Sequence, residues 1–297
     1  MIINLGNIVF GGKGNGGGAP AAYVVPNGMN FGYSTLTEFP SDDFDFSQKT
    51  NFDSAWNGCQ SLKEFPLLDL SKGISFNYTW QNCSSLTTFP EVDLSKGNSF
   101  YYTWANCSKL TSFPQLDLHN GTKFESSWRG CSSLTEFPMI DTSNGTNFSY
   151  AWYMCSSLKE FPVLDLSKGT KFSSAWSSCS SLTTFPEVNL SNGTSFSYAW
   201  ANCSKLTSLP ALNLSKSTNF QGTWNYCSSI TTLGGFGAIK TSIDLRFCPN
   251  LTAESIMNVI TQAATVTSAT MTLGSDNLAK LTDEQKAVAT NKGWTLA

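Results

Sequence analysis

The sequence holds a single histidine, His119, in 297 residues. A histidine-based catalytic triad and a multi-histidine metal site are therefore excluded within one chain. Charge is scarce too: 13% of residues are Asp, Glu, Lys or Arg, and the formal net charge is −3. Eighteen basic residues against twenty-one acidic ones leave no clustered basic footprint, so nucleic acid is not an expected partner. No apolar run approaches the roughly 18 residues of a membrane span, and no membrane insertion is expected. The opening MIINLGNIVFGG lacks a basic n-region, and Asn4, Gly6 and Asn7 break its apolar stretch, so no secretory signal is read there. The expectation is folding in a cytosol with reduced thiols, and the odd count of nine cysteines agrees with it.

What the sequence does have is a period. Tryptophans fall at 56, 80, 104, 128, 152, 176, 200 and 224, each twenty-four residues after the last. Cysteines follow three positions later, from Cys59 to Cys227, and Leu or Ile three after that. A Phe or Leu then precedes proline in seven of the eight units, without an insertion or deletion. Such a register is the signature of a repeat architecture.

One unit can be read physically in residues 89–107, FPEVDLSKGNSFYYTWANC. Val92 and Leu94 alternate around Asp93 as in a short strand. SKG breaks the strand, and Phe100, Trp104 and Cys107 recur at spacings of four and three, the period of a helical turn. A unit this short cannot cover its own apolar face, so neighbouring coils must stack. At about 4.8 Å per coil, eight coils make a rod or shallow arc of ~40 Å. The fold expected is a repeat solenoid, mainly β with short helical turns, of eight 24-residue units, closed by a small α/β cap at the C-terminus.

At these residues the chain resembles a known family. FPEVDLSKGNSF resembles the leucine-rich repeat core L-x-x-L-x-L-x-x-N, with Gly97 where the asparagine usually stands. The phrase Cys-Ser-Ser-Leu-Thr-Thr-Phe-Pro resembles the BspA-like branch of that superfamily. Its members are bacterial surface adhesins and virion proteins of gut bacteriophages. The resemblance covers about residues 30–251 and leaves the main sheet open. Ordinary repeats place it on EVDLS, and BspA-like ones on SLTTF.

Residues at a fixed position in every unit stack into columns. Cys59 through Cys227 would lie about 5 Å apart, within disulfide reach. Their inward phase, the missing signal and the leftover Cys248 favour free, buried thiols that act as small apolar groups. The tryptophans supply bulk, each indole N–H being expected to reach a backbone acceptor in the adjacent loop. Asp69, Asp93, Asp117, Asp141 and Asp165, continued by Asn189 and Asn213, form an outward column. It either coordinates Ca²⁺ or accepts turn N–H groups as Asx-turns do; the turn reading is preferred and no cofactor is expected. Tyr78, Tyr102, Tyr150 and Tyr198 share the position two before the tryptophan, with Tyr101, Tyr153 and Tyr226 nearby. Such rings either bind sugars or simply cover the flank. The variable position Leu67, Glu91, Gln115, Met139, Val163, Glu187 and Ala211 is expected to be exposed.

Residues 1–29 carry no repeat and read as a glycine-rich attachment segment, with MIINLGNIVF as a strand and GGKGNGGG as a flexible linker. Such a tail cannot bury itself on this chain alone, which points to a partner or a homo-oligomeric stem, a trimer by preference. Residues 30–50 form a shortened first coil. Residues 252–297 read as the cap. Thr252 opens a helix to about Ala264 with Ile256, Val259 and Ile260 buried; ATMTL is a strand; Thr282 and Gln285 form a capping box; Gly293 stops the helix; WTLA adds an edge strand.

The functional expectation is a non-enzymatic binding protein of a virion, made in a host cytosol. It would be fixed to other virion proteins through its N-terminus and would present its repeats to a glycan or protein of the host surface. A bacterial cell-surface adhesin, a structural spacer and a depolymerase using the Asp column are the alternatives. Glycosidases need two carboxylates in unlike environments, which a uniform ladder does not offer.

Overall fold

In the computed structural model, which describes residues 21–297, the Trp104 indole lies between those of Trp80 and Trp128, 5.6 Å from each. The stack runs from Trp56 to Trp224 with successive planes tilted by 3–11°. A second column joins Phe52, Phe76 and Phe100 through to Phe220. A third stacks Phe65 through Phe137 and then Phe161 on Phe185, and its rings meet the indoles edge-on, as Phe65 meets Trp56 at 4.7 Å and 77°. These columns belong to one continuous hydrophobic core. A displacement of twenty-four residues per coil brings like side chains together, which is the defining geometry of a repeat solenoid.

The helical turn expected from Phe to Cys is replaced by a ladder of tight turns. The N–H groups of Phe52, Ser54, Trp56 and Gly58 donate to carbonyls of the next coil at 2.7–2.8 Å. The intervening Ala55, Asn57 and Cys59 bond three residues back within their own coil at 3.0–3.2 Å. Positive φ angles two residues before and after each tryptophan cause the alternation: 56° at Tyr102, 62° at Asn106, 58° at Tyr150 and 62° at Met154. A left-handed residue rotates the next peptide out of the α-helical pattern, so helical spacing of apolar residues does not guarantee a helix.

The strand expected around Val92–Leu94 is also corrected. Val92 and Leu94 are buried and Asp93 exposed, as the alternation requires. Yet Val92 N–H bonds back to Pro90 O at 3.0 Å and pairs with no neighbouring coil. Proline at the start of this segment removes a donor in unit after unit, which disfavours a ladder there. Parallel bridges instead link Ser75, Ser99, Lys123 and Asn147 on one side, and Glu64 with Thr88 and Glu160 with Thr184 on the other. The second set lies on SLTTF.

Both ends are sealed. Strand β1 (Tyr23–Val24) pairs in parallel with β2 (Phe44–Asp45). Phe31 stacks on Trp56 at 6.1 Å, and the buried Lys49 donates Nζ to Pro26 O and Met29 O at 3.0 and 2.9 Å. The cap thus reaches back to Tyr23; residues 1–20, with the expected strand MIINLGNIVF and the glycine run, lie outside the described residues. After β3 (Ser208–Leu209) and β4 (Thr232–Leu233), which continue the SLTTF pairing, β5 (Ile243–Asp244) starts the other cap. Helix α1 (Ala253–Gln262) is capped by Thr252 and buries Ile256, Val259 and Ile260 as expected. Strand β6 (Ala269–Thr272), helices α2 (Gly274–Leu278) and α3 (Asp283–Asn291) and strand β7 (Trp294–Leu296) follow, with β6 between β5 and β7. The Thr282–Gln285 capping box is formed and Gly293 ends α3 at φ 84°. The short α2 was not legible: it is held by buried Asn277, whose Nδ2 donates to Cys248 O at 3.1 Å. No helix among the described residues is long and apolar enough to cross a membrane.

Candidate functional site

The structure sorts the repeated columns into core and surface. All nine cysteines are free and buried. The Trp column departs from expectation: the Nε1 atoms of Trp56 through Trp224 are buried without an oxygen or nitrogen acceptor among the described residues. Trp294 in the cap, by contrast, does reach a carbonyl, Ala264 O, at 2.8 Å.

The Asp column is exposed and caps turns. Asp69, Asp93, Asp117, Asp141 and Asp165 each accept, through Oδ1, the N–H two residues on at 2.9–3.1 Å. Asn189 and Asn213 do the same at 3.1 and 3.2 Å. Asp45 extends the column to the N-terminal cap with the same bond, and Asp244 in β5 closes its own turn in the same way. The Asx-turn geometry accounts for the conserved spacing within this chain without a ligand. The His119 ring, 2.6 Å from Asp117, holds that carboxyl below its usual range, and Ser143 does the same for Asp141. The variable positions are exposed as expected, Leu67 at 73% and Met139 at 63%.

The tyrosines divide. Tyr78, Tyr101 and Tyr102 form a tight triangle with ring centroids 4.6–5.5 Å apart. Burial, with the Tyr78 hydroxyl next in weight, pushes the Tyr101 phenol up to about 12. Asp53, Asn77 and Lys123 join Tyr78 and Tyr101 around a cavity of ≈ 440 Å³. From Tyr102 the patch continues through Arg129, whose Nη1 donates to the Tyr102 hydroxyl at 3.5 Å. The guanidinium lies 5.2 Å from the Tyr153 ring and 6.0 Å from that of Tyr150, and those two rings are 5.7 Å apart. Tyr78, Tyr102 and Tyr150 are thereby brought into one surface with Tyr101 and Tyr153. Tyr198 is not: its ring covers Gly222. Tyr226 packs on Phe247 at 5.2 Å. None of the column aspartates lines this cavity. Arg129 was missed in the sequence because it occurs once at its unit position, and periodicity highlights only what repeats.

No family model matches the sequence, and no curated protein matches it. Solved structures similar to it include a leucine-rich repeat protein of T. pallidum, at 11% identity and TM-score 0.32, covering 79% of this chain and 84% of that one. A leucine-rich repeat protein of Bacteroides ovatus has 13% identity and TM-score 0.25, covering 92% and 91%. A TLR13–ssRNA13 complex has 12% identity and TM-score 0.28, covering 88% and 44%. At these scores the assignment of a solenoid rests on the ladders themselves.

Proposed function

We propose that this chain is a non-enzymatic binding protein of the leucine-rich repeat type, BspA-like in its coils. In this reading it is a bacteriophage fibre or decoration subunit, joined to the virion through residues 1–29 as a homo-oligomer. It would meet the host surface with the flank carrying Tyr78, Tyr101, Tyr102, Tyr150 and Tyr153. The observation that carries the reading is this tyrosine surface, held on a stack of coils whose aromatic core is closed to solvent. Rings fixed before binding lose little freedom on contact, which favours adhesion to sugars and polar chains. The bridges on SLTTF support the BspA-like assignment of the coil.

The test is adhesion of the fluorescently labelled full chain to a panel of gut bacteria, beside a variant carrying Tyr78→Ala, Tyr102→Ala and Tyr150→Ala. A loss of at least tenfold in binding by the variant is expected, since each stacked ring contributes about 0.5–1.5 kcal/mol beyond its buried area. Equal binding by the two, or none by either, refutes the reading and leaves a spacer. Immunogold labelling separates locations: label on particles supports the virion, label on uninfected cell envelopes the cell-surface adhesin.

A further inference from the structure

We propose that Arg129 is the anion-recognising centre of this surface and that it selects a carboxylated sugar. The proposal rests on the adhesive reading above and adds the ligand chemistry to it. Arg129 is half-buried and makes no ion pair among the described residues, whereas Arg246 is bound to Asp244 at 2.7 Å. Its side-chain contacts are the Tyr102 hydroxyl in the coil below and the Tyr150 and Tyr153 rings in the coil above. Rings on one side and a phenol on the other fix the guanidinium while leaving most of its donors unused. The Glu125 carboxylate of the same coil is engaged by Asn147 Nδ2 at 2.7 Å.

The local sequence makes room for this. Tyr102 and Tyr150 occupy the position two before the tryptophan, but the coil between them has Ser126 there, with φ 57°. Ser126 is fully buried, and its Oγ has no hydrogen-bond partner among the described residues. With a small residue at that position, the Tyr102 hydroxyl and the Tyr150 ring of the flanking coils both reach Arg129. Arg129 is the one cation stacked on these rings among the described residues. A carboxylate fits one planar fork in bidentate fashion, and the sugar ring bearing it has an apolar face for the phenol rings. Uronic and sialic acids share this chemistry.

Titration calorimetry at low salt would compare trigalacturonate with galactotriose, and 3′-sialyllactose with lactose, on the full chain. At least one acidic sugar is expected to bind tenfold or more tightly than its neutral counterpart. Arg129→Ala abolishes that preference, and Arg129→Lys restores it only in part, because a point charge lacks the fork. Near-UV circular dichroism of the indole stack reports that each variant is folded. Should Arg129→Ala not fold, Tyr153→Leu removes the ring 5.2 Å from the guanidinium and should weaken the preference severalfold. The proposal is overturned if the natural chain shows no acidic preference, or if a folded variant at either position retains it in full. Cell adhesion lost only in the tyrosine variant would then leave the adhesive reading intact without this ligand.

Discussion

The thiol of Cys131 donates to the carbonyl oxygen of Trp104, one coil away, at 3.3 Å. That oxygen also accepts the N–H of Cys107 at 3.2 Å, so each such carbonyl ties its own turn to the next coil's thiol. The relation recurs from Cys83 with Trp56 at 3.2 Å to Cys227 with Trp200 at 2.9 Å. At the ends Cys59 uses Phe31 O, and Cys248 uses Trp224 O at 3.5 Å. The cysteine column is therefore a packed, weakly hydrogen-bonded seam of the core.

Burial keeps the thiols of the middle coils protonated and pushes Cys131, Cys179 and Cys227 up to about 12, whereas the Cys83 thiol beside Cys59 lowers that terminal one. The thiolate is the reactive form. A chromogenic disulfide reagent at pH 8 is expected to leave the folded protein almost unlabelled and to count nine thiols in guanidinium. Cys59, beside the N-terminal cap, should react first as that end frays. Rapid labelling of Cys131 in the folded state would contradict the seam.

The same shifts set an alkaline limit. The folded chain holds the Cys131, Cys179 and Cys227 protons more tightly than the unfolded chain, whose thiols titrate near 9.0. Their stabilisation is full below pH 9.0 and is lost as pH rises through about 12. Lys49, lowered chiefly by burial to about 8 from 10.5, acts in the opposite sense between those values, but it is one group against several. The urea midpoint is expected to be lower at pH 10.5 than at pH 8 by about the same factor whether or not salt is added; a rise would show that the thiols are not buried.

Gly97 is required by packing, since a Cβ there would sit 2.5 Å from Phe100 Cζ and 3.0 Å from Leu94 O. Gly97→Ala is expected to destabilise the chain by about 1–3 kcal/mol in urea unfolding. Gly28→Ala, whose added Cβ would meet nothing within 4 Å among the described residues, should be neutral by comparison. Equal effects would mean that the Phe100 ring is free to move aside.

A central Trp128→Ala removes one ring from three stacked pairs, at 5.6, 5.5 and 5.8 Å, and two edge contacts, at 4.9 and 5.7 Å. A loss of about 3–5 kcal/mol is expected. Because coils couple to nearest neighbours, its unfolding should also become less cooperative, read as a lower denaturant m-value. A fall in midpoint with m unchanged would indicate all-or-none unfolding of the whole stack.

Asp93 serves its turn through one oxygen, as Asn189 does. Asp93→Asn should leave the melting temperature unchanged, while Asp93→Ala costs about 0.5–1.5 kcal/mol for the lost hydrogen bond. EDTA is expected to have no effect on either protein. A melting temperature lowered by EDTA would restore calcium to the column.

The sequence by itself determined the period, the inward faces of Trp, Phe, Leu and Cys, the exposed variable row and the capping of α1 and α3. Each follows from local chemistry or from a translation of twenty-four residues that any stacked coil must obey. Backbone direction was decided only in three dimensions. A four-then-three spacing from Phe100 to Cys107 suits a helix, yet left-handed Tyr102 and Asn106 send alternate N–H groups to the next coil. Pairing between coils replaces the bonds within a helix, and no single unit contains the partner. The tyrosine surface was decided the same way. Tyr102, Arg129 and Tyr153 are spread over three coils, and only stacking sets one guanidinium among their rings.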